Sequence, residues 1–145
     1  MTSQAIPYLC VNDAAAAIEF YKSAFGATEV MRLTEPGGRI GHAEIKVGEA
    51  LIMLSEEYPE LDIRSPQSIG GTPVCVHLYI DDVDTLAANA VAAGATILKP
   101  VEDQFYGDRT GRLKDPFGHV WIVATVLEEL SLEEMQRRYE ELLKQ

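Results

Sequence analysis

Apolar residues at Ala14, Ile18, Tyr21 and Phe25 return with the spacing i, i+4, i+7, i+11, which puts all four on one face of a helix. The stretch "NDAAAAIEFYKSAFG" is therefore predicted helical, opened by Asn12 or Asp13 as N-cap and closed by Gly26. Before it, "AIPYLCV" (5–11) reads as a short strand. After it come three strand candidates, "TEVMRLT", "IGHAEIKV" and "ALIML", separated by turn signals at "EPGG" and "GE".

The second half repeats the plan. "PVCVHLYI" is a strand, and "DDVDTLAANAVAAG" is a helix with an Asp cap and Gly94 at its end. "ATILKPV", "TGRLKD" and "HVWIVATV" supply three more strands. Local wording echoes too: "VND" against "IDD", and "FGATEV" against "AGATIL". Asn12 aligns with Asp81 at an offset of 69, and Gly26 with Gly94 at 68. The pattern predicts two βαβββ modules, at 4–55 and 73–126, within one α+β domain over 1–126. The stretch between them, 56–72, is rich in Pro, Ser and Gly and reads as a crossover or a functional lid. The tail, 127–145, holds a further helix with a capping box of Ser131 and Glu134. Its apolar stripe of Leu132, Met135, Tyr139 and Leu142 must dock on the body of the protein or on a partner subunit.

Paired modules of this design resemble the vicinal oxygen chelate superfamily: glyoxalase I, bleomycin-resistance and fosfomycin-resistance proteins, and extradiol dioxygenases. The words "PYLCVNDAAAAIEFYKSAFGA", "HAEIKVGEALIMLSEE", "SPQSIGG", "HLYIDDVDTL" and "YGDRTGRLKDPFGHVW" are similar to its PhnB-like branch, and the resemblance covers residues 4 to 126. It implies a cupped eight-stranded mixed sheet around a small-molecule cavity, and a homodimer. It also implies four metal-ligand positions, which fall here on Ile6, Met53, Cys75 and Ile122. Divalent metals of such enzymes take His nitrogen or carboxylate oxygen. Only Cys75 could ligate, so no metal and no other cofactor is expected.

"DPFGHVWIVATV" (115–126) is then a β-turn and a strand rather than the edge of a metal site. Alternation turns Val120, Ile122 and Ala124 towards the cavity, and His119, Trp121 and Val123 towards the helices. His119 is expected to hydrogen-bond to backbone. The same alternation turns Ile6, Tyr8 and Cys10 inward, with Cys75, His77 and Tyr79 as their module-two counterparts. It also points His42, Glu44 and Lys46 to the cavity or solvent, matched by Arg112 and Lys114.

These residues define the candidate site. His42, Glu44 and His77 are the candidate catalytic groups, with His42 as a base and Glu44 as its orienting carboxylate. Tyr8, Met53, Cys75, Tyr79, Tyr106, Asp108 and Arg112 are the candidate substrate-binding residues, Arg112 for an anionic group. Asp108 and Arg109 are expected to form an ion pair that fixes their loop, and the acids of "DDVD" (81–84) to cap a helix.

The 145 residues suffice for one buried core, and 47% apolar with 24% charged residues is an ordinary globular balance. A net charge of −11 with no basic stripe argues against nucleic acid as a partner. No apolar run is long enough to span a bilayer, and "MTSQAIPYLC" does not read as a signal peptide, so a cytoplasmic protein is expected. Cys10 and Cys75 are expected to be reduced.

The leading function is a glyoxalase-like small-molecule-binding protein with a degenerate metal site. If it turns over, it does so by acid–base chemistry of a lyase, isomerase or oxygenase-like kind. A second reading, favoured by the negative charge, is a drug-sequestering protein of the bleomycin-resistance type. A third is a metal-dependent lyase or dioxygenase with a non-standard ligand set drawn from His42, Glu44, Cys75 and His77.

Overall fold

The computed structural model describes residues 1–145, and its elements follow the repeat. Module one comprises β1 (Tyr8–Val11), α1 (Ala14–Phe25), β2 (Thr28–Thr34), β3 (Ile40–Val47) and β4 (Ala50–Glu56). A crossover with a 3-10 turn (Pro59–Leu61) and a one-turn helix α2 (Pro66–Ile69) leads to module two. There β5 (Cys75–Tyr79) and α3 (Val83–Ala93) precede β6 (Thr96–Asp103), β7 (Asp108–Lys114) and β8 (Val120–Val126), and α4 (Leu132–Leu143) ends the chain.

The caps explain the helix bounds. Asp13 accepts from the Ala16 N–H, Asp82 from the Thr85 N–H and Ser131 from the Glu134 N–H. Gly26, at φ 68°, closes α1 in the left-handed region that a side chain would resist. The predicted helical stripe of Ala14, Ile18, Tyr21 and Phe25 is buried throughout.

Each module folds its strands into one mixed sheet, ordered β1-β4-β3-β2 and β5-β8-β7-β6, with β1 parallel to β4 and β5 parallel to β8. The eight expected strands are all present, as two four-stranded sheets with no ladder between β1 and β5. The modules are joined through their helix layers instead. Helix α1 packs on α3, and its Tyr21 and Phe25 rings lie 5.5 and 4.7 Å from that of Trp121 on β8. One continuous core of Leu9, Val11, Ile18, Ile45, Leu54, Leu113, Trp121 and Val123 runs through both. Non-directional apolar burial at this layer holds the halves together without strand pairing.

Alternation holds on the sheet faces except at Ala124, expected to face the cavity but fully buried. Leu9, Val11, Ala43, Ile45, Val47, Trp121 and Val123 are buried against helices, which leaves Tyr8, His42, Glu44, His77, Tyr79 and Arg112 on the opposite, open faces. His119 makes its backbone hydrogen bond, 2.8 Å from its Nε2 to the Cys10 carbonyl oxygen, and so ties the head of β8 to β1. No helix is long and apolar enough to cross a membrane.

Candidate functional site

Strand register sets two rows of side chains, one on each open face. In module one Tyr8 stands opposite Met53, and Met53 opposite Glu44. In module two His77 stands opposite Ile122, Ile122 opposite Arg112, and Arg112 opposite Lys99. Equivalent positions of the repeat therefore carry different chemistry.

The module-one row is a hydrogen-bonded chain. The Tyr8 hydroxyl lies 2.7 Å from His42 Nδ1, and His42 Nε2 lies 2.8 Å from a Glu44 oxygen. A carboxylate can only accept, so Nε2 carries the proton and Nδ1 accepts from the Tyr8 hydroxyl. The Tyr8 ring is more than half exposed, with its oxygen at the open end of the chain. His42 and Glu44 are about three-quarters covered, their side chains 24% and 23% exposed. Beside Tyr8 is a hollow of about 390 Å³ lined by Cys10, Gly41, Ser55, Tyr58, Leu61 and Ile63.

The crossover builds the outer wall of that hollow. Tyr58 and Ile63 pair across a small flap, the Tyr58 hydroxyl donates to Glu35 at 2.6 Å, and the Arg39 guanidinium sits 3.8 Å over the Tyr58 ring. The segment thus connects the modules and walls a pocket. Within the hollow, burial and then the Glu57 charge push the Cys10 thiol up to about 11, so it stays protonated at neutral pH.

Module two carries two further groups. The His77 and Tyr79 rings stack at 4.6 Å, and the Tyr79 hydroxyl reaches Asp108 at 3.3 Å. Burial first, then the Asp108 charge and hydrogen bond, hold that phenol above its ordinary value. Tyr106 and Arg112 line a separate hollow of about 150 Å³ with Lys99, Gln104 and Thr110. A third hollow, about 720 Å³, lies where the modules meet and is lined by Ile6, Pro7, Leu51, Val76 and His77.

Of the three candidate catalytic residues, His42 and Glu44 touch, while His77 belongs to the other sheet. Cys75, opposite Val120, joins none of these polar groups. The expected Asp108–Arg109 pair does not form. Consecutive residues of a strand point to opposite faces, so Asp108 turns to Tyr79 while Arg109 is held by Asp84 and Asp103 at 2.9 and 2.8 Å. Asp82 caps α3 as expected, and Asp84 serves Arg109.

Ile6, Met53, Cys75 and Ile122 present one thiol, one thioether and two hydrocarbons, which do not fit a divalent ion that needs nitrogen or oxygen donors. Elsewhere in the chain no three His, Cys, Asp or Glu side chains gather closely enough to hold a metal. The non-standard set of His42, Glu44, Cys75 and His77 is split between the two sheets.

Sequence reasoning missed Lys99, Gln104 and the flap residues Leu61 and Ile63. Lys99 lies between two register shifts in the β6–β7 ladder, which defeat a period of two. The flap has no periodicity, and only its Pro, Ser and Gly content marked it.

Comparison with known proteins bears on the whole arrangement. A model of the Glyoxalase/Bleomycin resistance protein/Dioxygenase superfamily matches residues 4–123. An uncharacterized protein of Mycobacterium bovis is 41% identical over 133 residues, covering 90% of this chain and 88% of that one. Among solved structures, an Arabidopsis thaliana gene product superposes with a TM-score of 0.67 at 28% identity, covering 86% of this chain and 99% of the other. TioX from Micromonospora sp. ML1 gives 0.68 at 25% identity, over 89% and 100%.

Proposed function

This chain belongs to the Glyoxalase/Bleomycin resistance protein/Dioxygenase superfamily, and we propose that within it the chain binds a small organic molecule at a degenerate metal site and acts on it by acid–base chemistry. The observation that carries the reading is the Tyr8–His42–Glu44 chain, which ends at a hydroxyl beside a hollow with an apolar wall. A few convergent polar groups on apolar walls are what small-molecule sites present.

The roles follow from the geometry. Glu44 fixes the imidazole tautomer, His42 Nδ1 holds the Tyr8 proton, and the Tyr8 oxygen takes or gives a proton at the substrate. The four superfamily metal positions supply no step in this scheme. Leu61, Ile63 and Cys10 receive the apolar part of the molecule and keep bulk water from it.

The proposal includes a homodimer. The isolated chain exposes 8663 Å². A folded monomer of this length exposes roughly 7,400 Å². Tyr8, Leu33, Val74 and Tyr79 are all more than half exposed, on or beside the open faces. A second copy would cover these residues and bring a module-two face over each module-one face. Analytical ultracentrifugation at micromolar concentration checks this, with a dimer as the expected outcome.

The chemistry is tested by NMR in D₂O with small enolisable carbonyl compounds as probes. Expected are ligand shifts at Tyr8, His42 and Ser55, and catalysed exchange of the α-proton. That exchange should fall by about a hundredfold or more in His42→Ala and in Tyr8→Phe. Binding without exchange would leave a binding protein, and no binding by any probe would sink the reading.

A further inference from the structure

Seven of the twelve Lys and Arg residues, namely Lys22, Arg32, Arg39, Arg64, Arg109, Arg137 and Arg138, are ion-paired. With 23 acidic residues in the chain, pairing is the expected fate of a cation. The remaining five are Lys46, Lys99, Arg112, Lys114 and Lys144. Two of these, Lys99 and Arg112, stand directly opposite each other on β6 and β7.

That placement is unfavourable for folding. Like charges directly opposite across a ladder repel, and neither of these two is held in an ion pair. Arg112 is half-buried, yet none of its five N–H donors meets an acceptor of the protein within hydrogen-bonding distance. Lys99, exposed and flanked by register shifts on either side, borders the same hollow as Arg112.

The remaining lining is suited to a polar guest. Gln104, Tyr106 and Thr110 offer neutral hydrogen-bonding groups, and Ile122 an apolar floor. Glu102 is the one carboxylate on the rim, and it pairs with neither cation. At about 150 Å³ the hollow has room for a head group but not for a whole metabolite.

We propose that the Lys99–Arg112 hollow binds the oxyanion end of a small molecule, a carboxylate or a phosphoryl group. The guanidinium supplies a planar fork for two oxygens, and the ammonium a point charge from the neighbouring strand. The proposal builds on the small-molecule reading of the open faces. It does not depend on the acid–base role of His42, because the two groups of residues lie on different sheets.

The test is a ¹H–¹⁵N NMR titration of the full chain with inorganic phosphate and with acetate, at ionic strength held constant by sodium chloride. Expected are shifts of the Gln104, Tyr106, Thr110 and Arg112 amides with one or both anions. Lys99→Gln and Arg112→Gln should each weaken binding by about tenfold or more. Lys46→Gln, an unpaired cation on the other sheet, should leave it unchanged. Response to phosphate alone assigns a phosphoryl end, and response to acetate alone a carboxylate. No shift beyond that of chloride, or binding retained in both variants with a folded spectrum, overturns the proposal. The same amide map separates the two readings, since neutral carbonyl probes report at Tyr8 and His42 and anions at Thr110 and Arg112.

Discussion

The hydroxyl of Tyr21, in the first helix, donates to a carboxylate oxygen of Asp115, 94 residues later, at 2.6 Å. The same carboxylate accepts from the Trp121 indole at 2.9 Å and from the backbone N–H groups of Phe117 and His119. A buried carboxylate with four donors is fully satisfied, and it joins module one to the turn that starts the last strand. Burial and the adjacent Asp115 charge hold the Tyr21 phenol well above its ordinary range. Tyr21→Phe should cost about 1.5 kcal/mol, and Asp115→Ala about 3 kcal/mol because it strands several donors at once. Urea unfolding measures both, and a loss under 1 kcal/mol for Asp115→Ala would show that the joint is dispensable.

Cys10 gives a pH-dependent signature. Its folded-state thiol is raised to about 11 from the ordinary 9.0, by burial first and the Glu57 charge second. A raised value contributes stability that is complete below pH 9 and lost as pH climbs towards 11. In a Cys75→Ser background, the alkylation rate of the remaining thiol should keep rising to about pH 11. A plateau near pH 9 would mean that the thiol is neither desolvated nor repelled.

Glu44→Gln tests the direction of the proton chain. An amide can donate to His42 Nε2 as well as accept from it, so the tautomer is no longer fixed. Proton exchange of a bound carbonyl compound should drop by about tenfold to a hundredfold, with probe affinity nearly unchanged. An equal loss of affinity would recast Glu44 as a binding group.

Gly107 holds the tail. At φ 97° it occupies the left-handed region, its carbonyl accepts from the Leu127 and Glu128 N–H groups, and any Cβ there would collide with the Glu128 backbone. Gly107→Ala should cost about 1–2 kcal/mol from the dihedral alone. It should also loosen the final helix, which otherwise docks through the Tyr139 ring on Phe105 and Arg138 on the Phe105 carbonyl. Limited proteolysis would detect this as faster cleavage between residues 127 and 131, and an unchanged cleavage rate would separate the tail from this turn.

Where the chain obeys a fixed period, its structure is legible. The stripe Ala14, Ile18, Tyr21 and Phe25 and the alternation of "IGHAEIKV" gave one helix face and one sheet face correctly, and with them His42 and Glu44 on the face opposite the buried Ala43 and Ile45. Contacts between modules have no such signature. Tyr21 reads as one more core aromatic until Asp115 is placed beside it, and Lys99 cannot be assigned a face across two bulges. The hydrogen bond from Tyr8 to His42 needed both strands in register, because 34 residues separate them. The division of His77 from His42 followed from the modules meeting through their helices, which periodicity within each module does not encode.

The missing ladder between the first and fifth strands also bears on heredity. Two copies of one plan that shared a continuous sheet would meet along their central strands, so that a change on one would be felt by its cross-strand neighbour on the other. Joined mainly through the helix layer, each copy is free to drift in its own vocabulary. Tyr8 answers to His77, and His42 to Arg112, so one pair of equivalent positions sets a phenol against an imidazole and the other an imidazole against a guanidinium.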